Sequence, residues 1–155
     1  EWIDFPREGN GWSHKYARRQ WNLVDNKELC FHWLGDFDRS MLKVIKSEKD
    51  IQKTNVTEIW HNDGDQVFAF QRGELLFFFN FSPFRSYTDY GFMVKAGTYK
   101  YLLNTEDVKF GGKGFNDDSL KHLTIYDRDL AKDGKGWLKL YLPARSACVL
   151  KISND

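Results

Sequence analysis

Apolar and polar residues alternate along most of the chain after residue 55, which is the pattern of short β-strands with one buried face. A tight turn at Gly73 separates two of these segments and predicts a hairpin. Because turn residues separate all of these short segments, we expect a mainly β chain folded as an antiparallel β-sandwich. The predicted strands cover residues 56–60, 67–72, 75–81, 87–93, 98–103, 122–127, 137–142 and 146–152.

The third predicted strand carries large apolar side chains at every second position, at Leu75, Phe77 and Phe79. Successive strand residues point to opposite faces, so these three share one face. We expect that face to point into the sandwich, where replacing Phe79 by alanine would cost about 3–5 kcal/mol of folding free energy. The interior residues expected from the last two strands are Leu140, Ala147 and Val149.

The first third of the chain shows the three- and four-residue spacing of amphipathic helices. We predict one helix over 14–23, capped by Ser13, and a second over 26–46, capped by Asp25 or Asn26. These helices carry more apolar surface than one contact with the sandwich can cover, so the opposite side is expected to promote self-association. The candidates for packing on the sandwich are Trp21, Trp33 and Phe37.

Polar and charged residues at 46–55 interrupt both patterns and predict a connector. The expected division is therefore a helical part at 1–50 and an all-β domain at 56–155. A long glycine-rich loop is predicted at 104–119. Its Gly-Gly-Lys-Gly run is not a phosphate-binding loop, because Lys113 is followed by glycine rather than serine or threonine. We interpret the run as a surface loop whose glycines adopt positive φ angles.

Composition narrows the range of functions. The 155 residues include 23 basic and 22 acidic side chains, and a net charge of +1 gives no electrostatic reason to expect a nucleic acid or a membrane as partner. No apolar run approaches the ~20 residues of a membrane span. The chain is too short for a complete (β/α)8 barrel of about 250 residues. Aromatic residues form 17% of the chain, which favours aromatic cores or carbohydrate-stacking surfaces.

The cysteines and histidines predict neither a metal site nor a cofactor. Cys30 and Cys148 are far apart, and the four histidines have no metal-ligand spacing. Two unclustered cysteines suit a reducing compartment such as the cytoplasm, with a single disulfide left open as the alternative. No serine lies in the G-x-S-x-G setting of a hydrolase triad.

The first residues of the chain mix aromatic and charged side chains in a loop that contains Pro6. Trp2 can stack on the apolar face of a sugar ring, while Asp4 and Arg7 can bond to its hydroxyl groups. The alternative is a packed loop anchor in which Asp4 and Arg7 form an ion pair. On composition alone, the sugar-binding interpretation does not prevail over the anchor.

Longer motifs resemble a known family. Residues 1–26, EWIDFPREGNGWSHKYARRQWNLVDN, resemble the segment that follows the last barrel strand in glycogen and starch branching enzymes of the α-amylase superfamily. The resemblance to the eukaryote-like type is closest in EWIDFPREGN and YARRQ, and residues 46–66 match poorly. It continues in the expected order through residues 37–39, 69–73, 79–81, 86–90 and 110–112.

The resemblance implies two helices left from the end of a (β/α)8 barrel, followed by a C-terminal antiparallel β-sandwich. Branching enzymes cut an α-1,4 glucan and rejoin the piece as an α-1,6 branch, by a retaining route through a covalent glycosyl-enzyme. The catalytic carboxylates of the family lie on barrel strands that precede residue 1. No residue of this chain is therefore expected to be catalytic, and the chain alone is expected to be inactive. The implied partner is α-glucan, without a cofactor, in the cytoplasm or in a plant plastid.

Three functional hypotheses follow. The first is a non-catalytic C-terminal part of a branching enzyme, in which the loop with Trp2, Asp4 and Arg7 lines the glucan cleft, since barrel enzymes build their sites at the C-terminal ends of the strands. The second is a stand-alone glucan-binding module, and a purely structural interaction domain is a third. The helical first third favours the first hypothesis, because a binding module does not need it.

Overall fold

The computed structural model of the chain describes residues 4–18, 20–48 and 51–153. In this part of the chain, two α-helices precede eight strands. The helices are α1 (Asn22–Asp25) and α2 (Phe31–Ser47). The strands are β1 (Val56–Asn62), β2 (Val67–Arg72), β3 (Leu75–Asn80), β4 (Tyr87–Lys95), β5 (Thr98–Asn104), β6 (Lys121–Leu123), β7 (Lys135–Leu142) and β8 (Ser146–Ile152).

The strands form two antiparallel sheets that pack face to face. The larger sheet has the strand order β1-β2-β3-β8-β5-β6, and the smaller sheet pairs β4 with β7. Apolar side chains of both sheets meet between them, where the ring centroids of Phe78 and Phe92 lie 4.6 Å apart. The predicted antiparallel sandwich is therefore confirmed, and each predicted strand is present, although β6 is shorter than expected.

The predicted face of β3 is wrong. Leu76 and Phe78 point into the sandwich and are 3% and 0% exposed, whereas Phe77 and Phe79 lie half-buried on the outer face of the large sheet. Leu75 is buried as predicted, but it lies under α2 rather than between the sheets. The strand is apolar on both faces because α2 packs on the outer face at Leu75 and Phe77, and Phe79 belongs to a stack of rings on the same face, so alternation alone could not distinguish the two faces.

The same correction applies to β8. Cys148 and Leu150 face the sandwich interior, while Ala147 and Val149 lie on the outer face with the residues of β3 that they pair with. Of the residues predicted to be in the interior, Leu140 lies between the sheets, at 1% exposure.

Helix α2 covers part of the outer face of the large sheet. Its residues Phe37, Met41 and Val44 pack on Leu75 and Val149. These helix positions recur at three- and four-residue intervals and so form one stripe along α2. The second predicted helix is therefore confirmed, as is the packing of Phe37 on the β-strands.

The glycine-rich loop after β5 holds the first turns of α2. The ring of Phe110 meets Phe37 edge-on at a centroid distance of 5.4 Å. Gly111 has a φ of 80°, and a Cβ atom at this position would approach Trp33 to 2.3 Å. Glycine is required here both by the backbone conformation and by the close approach of the indole. The predicted positive φ angles are confirmed at Gly111 and Gly114.

The first predicted helix, over 14–23, is wrong. The Ser13 hydroxyl accepts the Lys15 N–H at 3.2 Å within a turn, and α1 begins only at Asn22. Asn26 acts similarly, since its side-chain oxygen accepts the Glu28 N–H at 3.0 Å and α2 begins only at residue 31. Short polar side chains that bond to the nearby backbone compete with helix formation, so both residues form turns instead of caps.

Candidate functional site

The loop before α1 is organised around the carboxylate of Asp4. Arg7 donates to both carboxylate oxygens, at 3.1 and 3.3 Å, and the Asn10 amide donates to one of them at 3.1 Å. The hydrogen bonds from Arg7 and then Asn10 lower the pKa of Asp4. The Asp4 side chain is 15% exposed and that of Arg7 60%. Asp4 is therefore ionised and held in a fixed orientation at neutral pH.

Backbone hydrogen bonds fix this loop from both ends. The Arg7 N–H donates to the Asn10 side-chain oxygen at 2.9 Å, which closes a short 3-10 turn at Glu8–Asn10. The Asp4 N–H donates to the Tyr16 carbonyl at 3.2 Å and ties the loop to the next turn of the chain. These hydrogen bonds hold the loop in a defined geometry.

The structure brings two of the three sequence-predicted site residues together. Asp4 and Arg7 form the expected pair, and Trp2 lies outside the described residues. Sequence reasoning missed Asn10, which completes the set of donors to Asp4. The available signal was its position between Gly9 and Gly11, in a segment that has to turn.

Exposed aromatic side chains flank the Asp4 loop. Phe5 is 71% exposed and Trp12 is 65% exposed. Trp12 also adopts a positive φ of 58°, an uncommon backbone conformation for a bulky residue. The loop therefore combines a fixed carboxylate, a guanidinium and aromatic rings on one surface segment, which is the chemistry that binds sugar hydroxyls and ring faces.

A second exposed surface lies where α1 meets α2, and we call it the α1–α2 flank. A groove of about 430 Å³ opens there, next to the stripe of α2 that packs on the large sheet. Arg39, Lys43 and Lys46 lie on the side of α2 opposite that stripe, so the exposed apolar surface is on the flank rather than on the opposite side. The flank consists of Trp21 (68% exposed), Val24 (36%), Phe31 (37%), Leu34 (70%) and Leu42 (50%).

Other chemistry is sparse in the part of the chain that the structure describes. Within 4–18, 20–48 and 51–153, no cluster of three or more His, Cys, Asp or Glu side chains could hold a metal ion. No helix in these ranges is long and apolar enough to cross a membrane. Cys30 is exposed and Cys148 is buried, and both are free thiols; burial raises the pKa of the Cys148 thiol.

The fold defines the larger part of the chain as an antiparallel all-β sandwich domain. A family model described as Alpha amylase, C-terminal all-beta domain, matches residues 59–153, which include nearly all of the strands. The chain belongs to this family. The solved structure of alpha-amylase from H.orenii is similar at a TM-score of 0.44 and 17% identity, over 86% of this chain and 22% of that chain.

Sequence relatives extend the match to the helical part. The chain is 42% identical over 156 aligned positions to the 1,4-alpha-glucan-branching enzyme of Saccharomyces cerevisiae, and 40% identical over 156 positions to that of Aspergillus oryzae. Each alignment covers 99% of this chain and 22% of the relative. The chain therefore spans about a fifth of the length of the curated relatives that it matches.

Proposed function

We propose that this chain is the C-terminal part of a 1,4-α-glucan branching enzyme. In this proposal, residues 1–50 are the end of the catalytic barrel and residues 56–155 are the all-β domain that supports it. The names of the relatives and the match along 99% of the chain support the proposal. The parent enzyme acts on α-glucan, such as glycogen or starch, in a reducing compartment such as the cytoplasm.

The observation that carries the proposal is the exposed α1–α2 flank. α2 already packs on the sheet through one stripe, and yet large apolar side chains cluster uncovered beside that stripe. Contiguous apolar surface of this kind marks a place that another element normally covers. The rest of a barrel would cover it, whereas a stand-alone glucan-binding module would have no reason to maintain it.

The proposed chemistry lies outside this chain. Branching by a retaining route requires a carboxylate nucleophile and a second carboxylate as acid and base, about 5–5.5 Å apart across the substrate. The carboxylate of Asp4 is engaged by Arg7 and Asn10, which suits a positioning role and not a nucleophile. The contribution of the chain is to support the barrel and to complete the cleft.

The Asp4 loop is the proposed cleft contact. In this role Trp2 stacks on a glucose ring, Asp4 accepts hydroxyl hydrogen bonds, and Arg7 holds Asp4 in place. Oδ1 of Asp4 accepts only from Arg7 and keeps one lone pair, whereas Oδ2 accepts from both Arg7 and Asn10. The low exposure of Asp4 and this single free lone pair favour one directed contact.

A direct test of the first proposal uses the chain alone. Incubated with amylose, it should change neither the iodine-complex spectrum nor the number of reducing ends relative to buffer, because neither displacement can start without a nucleophile. Turnover above buffer would refute the proposal that the chain is non-catalytic.

The cleft proposal needs the whole enzyme. We would replace the matching segment of the Saccharomyces cerevisiae enzyme by this chain and compare Trp2→Ala and Asp4→Asn with the unaltered chimera. A cleft role predicts a branching rate at least about tenfold lower with little change in melting temperature. Unchanged rates in both variants, or a loss of rate matched by a large loss of melting temperature, would contradict it.

A further inference from the structure

The turn between β1 and β2 forms one wall of a pocket on the sandwich. The pocket has a volume of about 530 Å³, within the range of about 300–1,000 Å³ that is usual for small-molecule sites. We call it the hairpin pocket. Its lining includes Glu58, Asn62, Asp63, Gln66, Phe68 and Phe81.

A stack of aromatic rings ends at this pocket. The rings of Phe70 and Phe79 are near-parallel with centroids 5.9 Å apart, and Phe79 stacks on Phe81 at 5.5 Å with an angle of only 5° between the rings. Phe81 is 62% exposed, so one ring face is packed on Phe79 and the other is open. A flat apolar ligand face would therefore continue the stack on Phe81.

Polar groups stand around the open ring. The Asn62 side-chain oxygen accepts the Asp65 N–H at 2.9 Å, so the NH2 group is the part of this side chain that can donate to a ligand. Within the described residues, neither the Asp63 carboxylate nor the Gln66 amide has a hydrogen bond or an ion pair of its own. Donors and acceptors on one short turn, beside an open aromatic face, match a ligand with an apolar face and a hydroxyl edge.

The turn and the ring are held at fixed positions. The hydroxyls of Tyr87 and Tyr90 donate to the backbone carbonyl and the carboxylate of Asp65, both at 2.9 Å. The Phe81 N–H donates to the Gln66 carbonyl at 2.8 Å, which fixes the ring relative to the turn. A ligand would meet a preorganised site, so little binding free energy is lost in ordering it.

We propose that the hairpin pocket is a surface binding site for α-glucan, with one glucose ring stacked on Phe81 and its hydroxyls bonded to Asn62, Asp63 and Gln66. The choice of α-glucan over other sugars rests on the proposed function. The pocket shares no lining residue with the α1–α2 flank or the Asp4 loop, so it is a separate surface.

The test measures binding of maltoheptaose to the complete 155-residue chain by calorimetry, with a β-1,4-linked glucose oligomer as the comparison sugar. We expect saturable binding of maltoheptaose and much weaker binding of the β-linked oligomer. Phe81→Ala should weaken binding by about tenfold, the worth of one stacking contact. Asp63→Ala, at an exposed side chain of the pocket lining, should weaken it as well.

Phe84→Ala is the matched control. Phe84 is 88% exposed on the loop that follows β3, and it is not among the residues that line the pocket. Its replacement should leave the affinity unchanged. An unaltered chain that does not bind, an equal loss in Phe84→Ala, or equal affinity for the β-linked sugar would each overturn the proposal. If the chain supports branching in the chimera but does not bind maltoheptaose, the pocket proposal alone is refuted. If the chain binds maltoheptaose through Phe81 but the chimera is inactive, the proposed function alone is refuted.

Discussion

At the scale of single residues, adjacent phenylalanines on β3 have opposite roles. Phe78 is fully buried between the sheets against Phe92, while Phe79 is half-buried in the ring stack on the outer face. Truncating a buried phenylalanine loses the full free energy of burying its ring and leaves a cavity. Truncating a half-buried phenylalanine loses only part of that burial free energy and leaves no closed cavity.

Phe78→Ala should therefore lower the free energy of unfolding by about 3–5 kcal/mol, and Phe79→Ala by about 1–2 kcal/mol. Urea denaturation of the two variants beside the unaltered chain measures both values. Equal losses in the two variants would contradict the assigned faces of β3.

At the scale of elements, the sequence predicted the strands and the helix that have a periodic pattern. It did not predict features that depend on contacts between elements or within loops. Alternation with turn residues located β2 and β8 within a residue at each end, and helical spacing located α2. Which face of β3 points inward was not predictable, because apolar side chains line both faces of this strand. The glycines beside Asn10 indicate a turn, but the hydrogen bond from Asn10 to Asp4 was not predictable, since a loop hydrogen bond leaves no periodic signal.

The contact between Trp33 and the loop at Gly111 gives an element-level prediction. Gly111→Ala should lower the free energy of unfolding by about 2–4 kcal/mol, because it adds a clash with the indole to the strain of a positive φ. Gly134→Ala is the matched control. Gly134 has a φ of 66° with open space around it, so only the backbone strain of about 1–2 kcal/mol should appear. Equal losses of unfolding free energy in the two variants would mean that the close approach of Trp33 to Gly111 adds nothing to the cost of the substitution.

The end of α2 is tied to β8 by an ion pair whose strength should depend on pH. Lys151 Nζ lies 2.8 Å from Glu48, whose side chain is 16% exposed, and 3.1 Å from Glu74, whose side chain is 67% exposed. Glu48→Gln should therefore cost about 0.5–1 kcal/mol of stability and Glu74→Gln less, because exposed pairs are screened by solvent.

The hydrogen bond with Glu48, more than that with Glu74, raises the pKa of Lys151 above its ordinary value of 10.5. A raised pKa means that the folded chain holds this proton more tightly, so the contribution is complete below pH 10.5 and is lost as the pH rises through the folded value. Unfolding curves of the unaltered chain and Glu48→Gln should differ at pH 8 and converge at the alkaline end. A constant difference across that range would contradict the ion pair.

At the scale of the whole molecule, the α1–α2 flank should make the isolated chain self-associate. Large exposed apolar patches are usually sites of protein–protein contact, and association would bury this one. Leu34→Glu should reduce association in sedimentation velocity. Leu123→Glu on β6 is the matched control, since Leu34 and Leu123 are 70% and 68% exposed. A monomeric unaltered chain at high concentration, or equal effects of both substitutions, would contradict the assigned surface.

The proposed function requires that this chain can serve as the C-terminal part of a branching enzyme. The most direct measurement is the branching rate of the Saccharomyces cerevisiae enzyme whose matching segment, 42% identical over 156 positions, is replaced by this chain. The same enzyme with the segment deleted is the control. We predict that the chimera folds and branches amylose, seen as a fall in the iodine-complex absorbance, while the deleted enzyme does not. A folded chimera with no more activity than the deleted enzyme would contradict the proposed function.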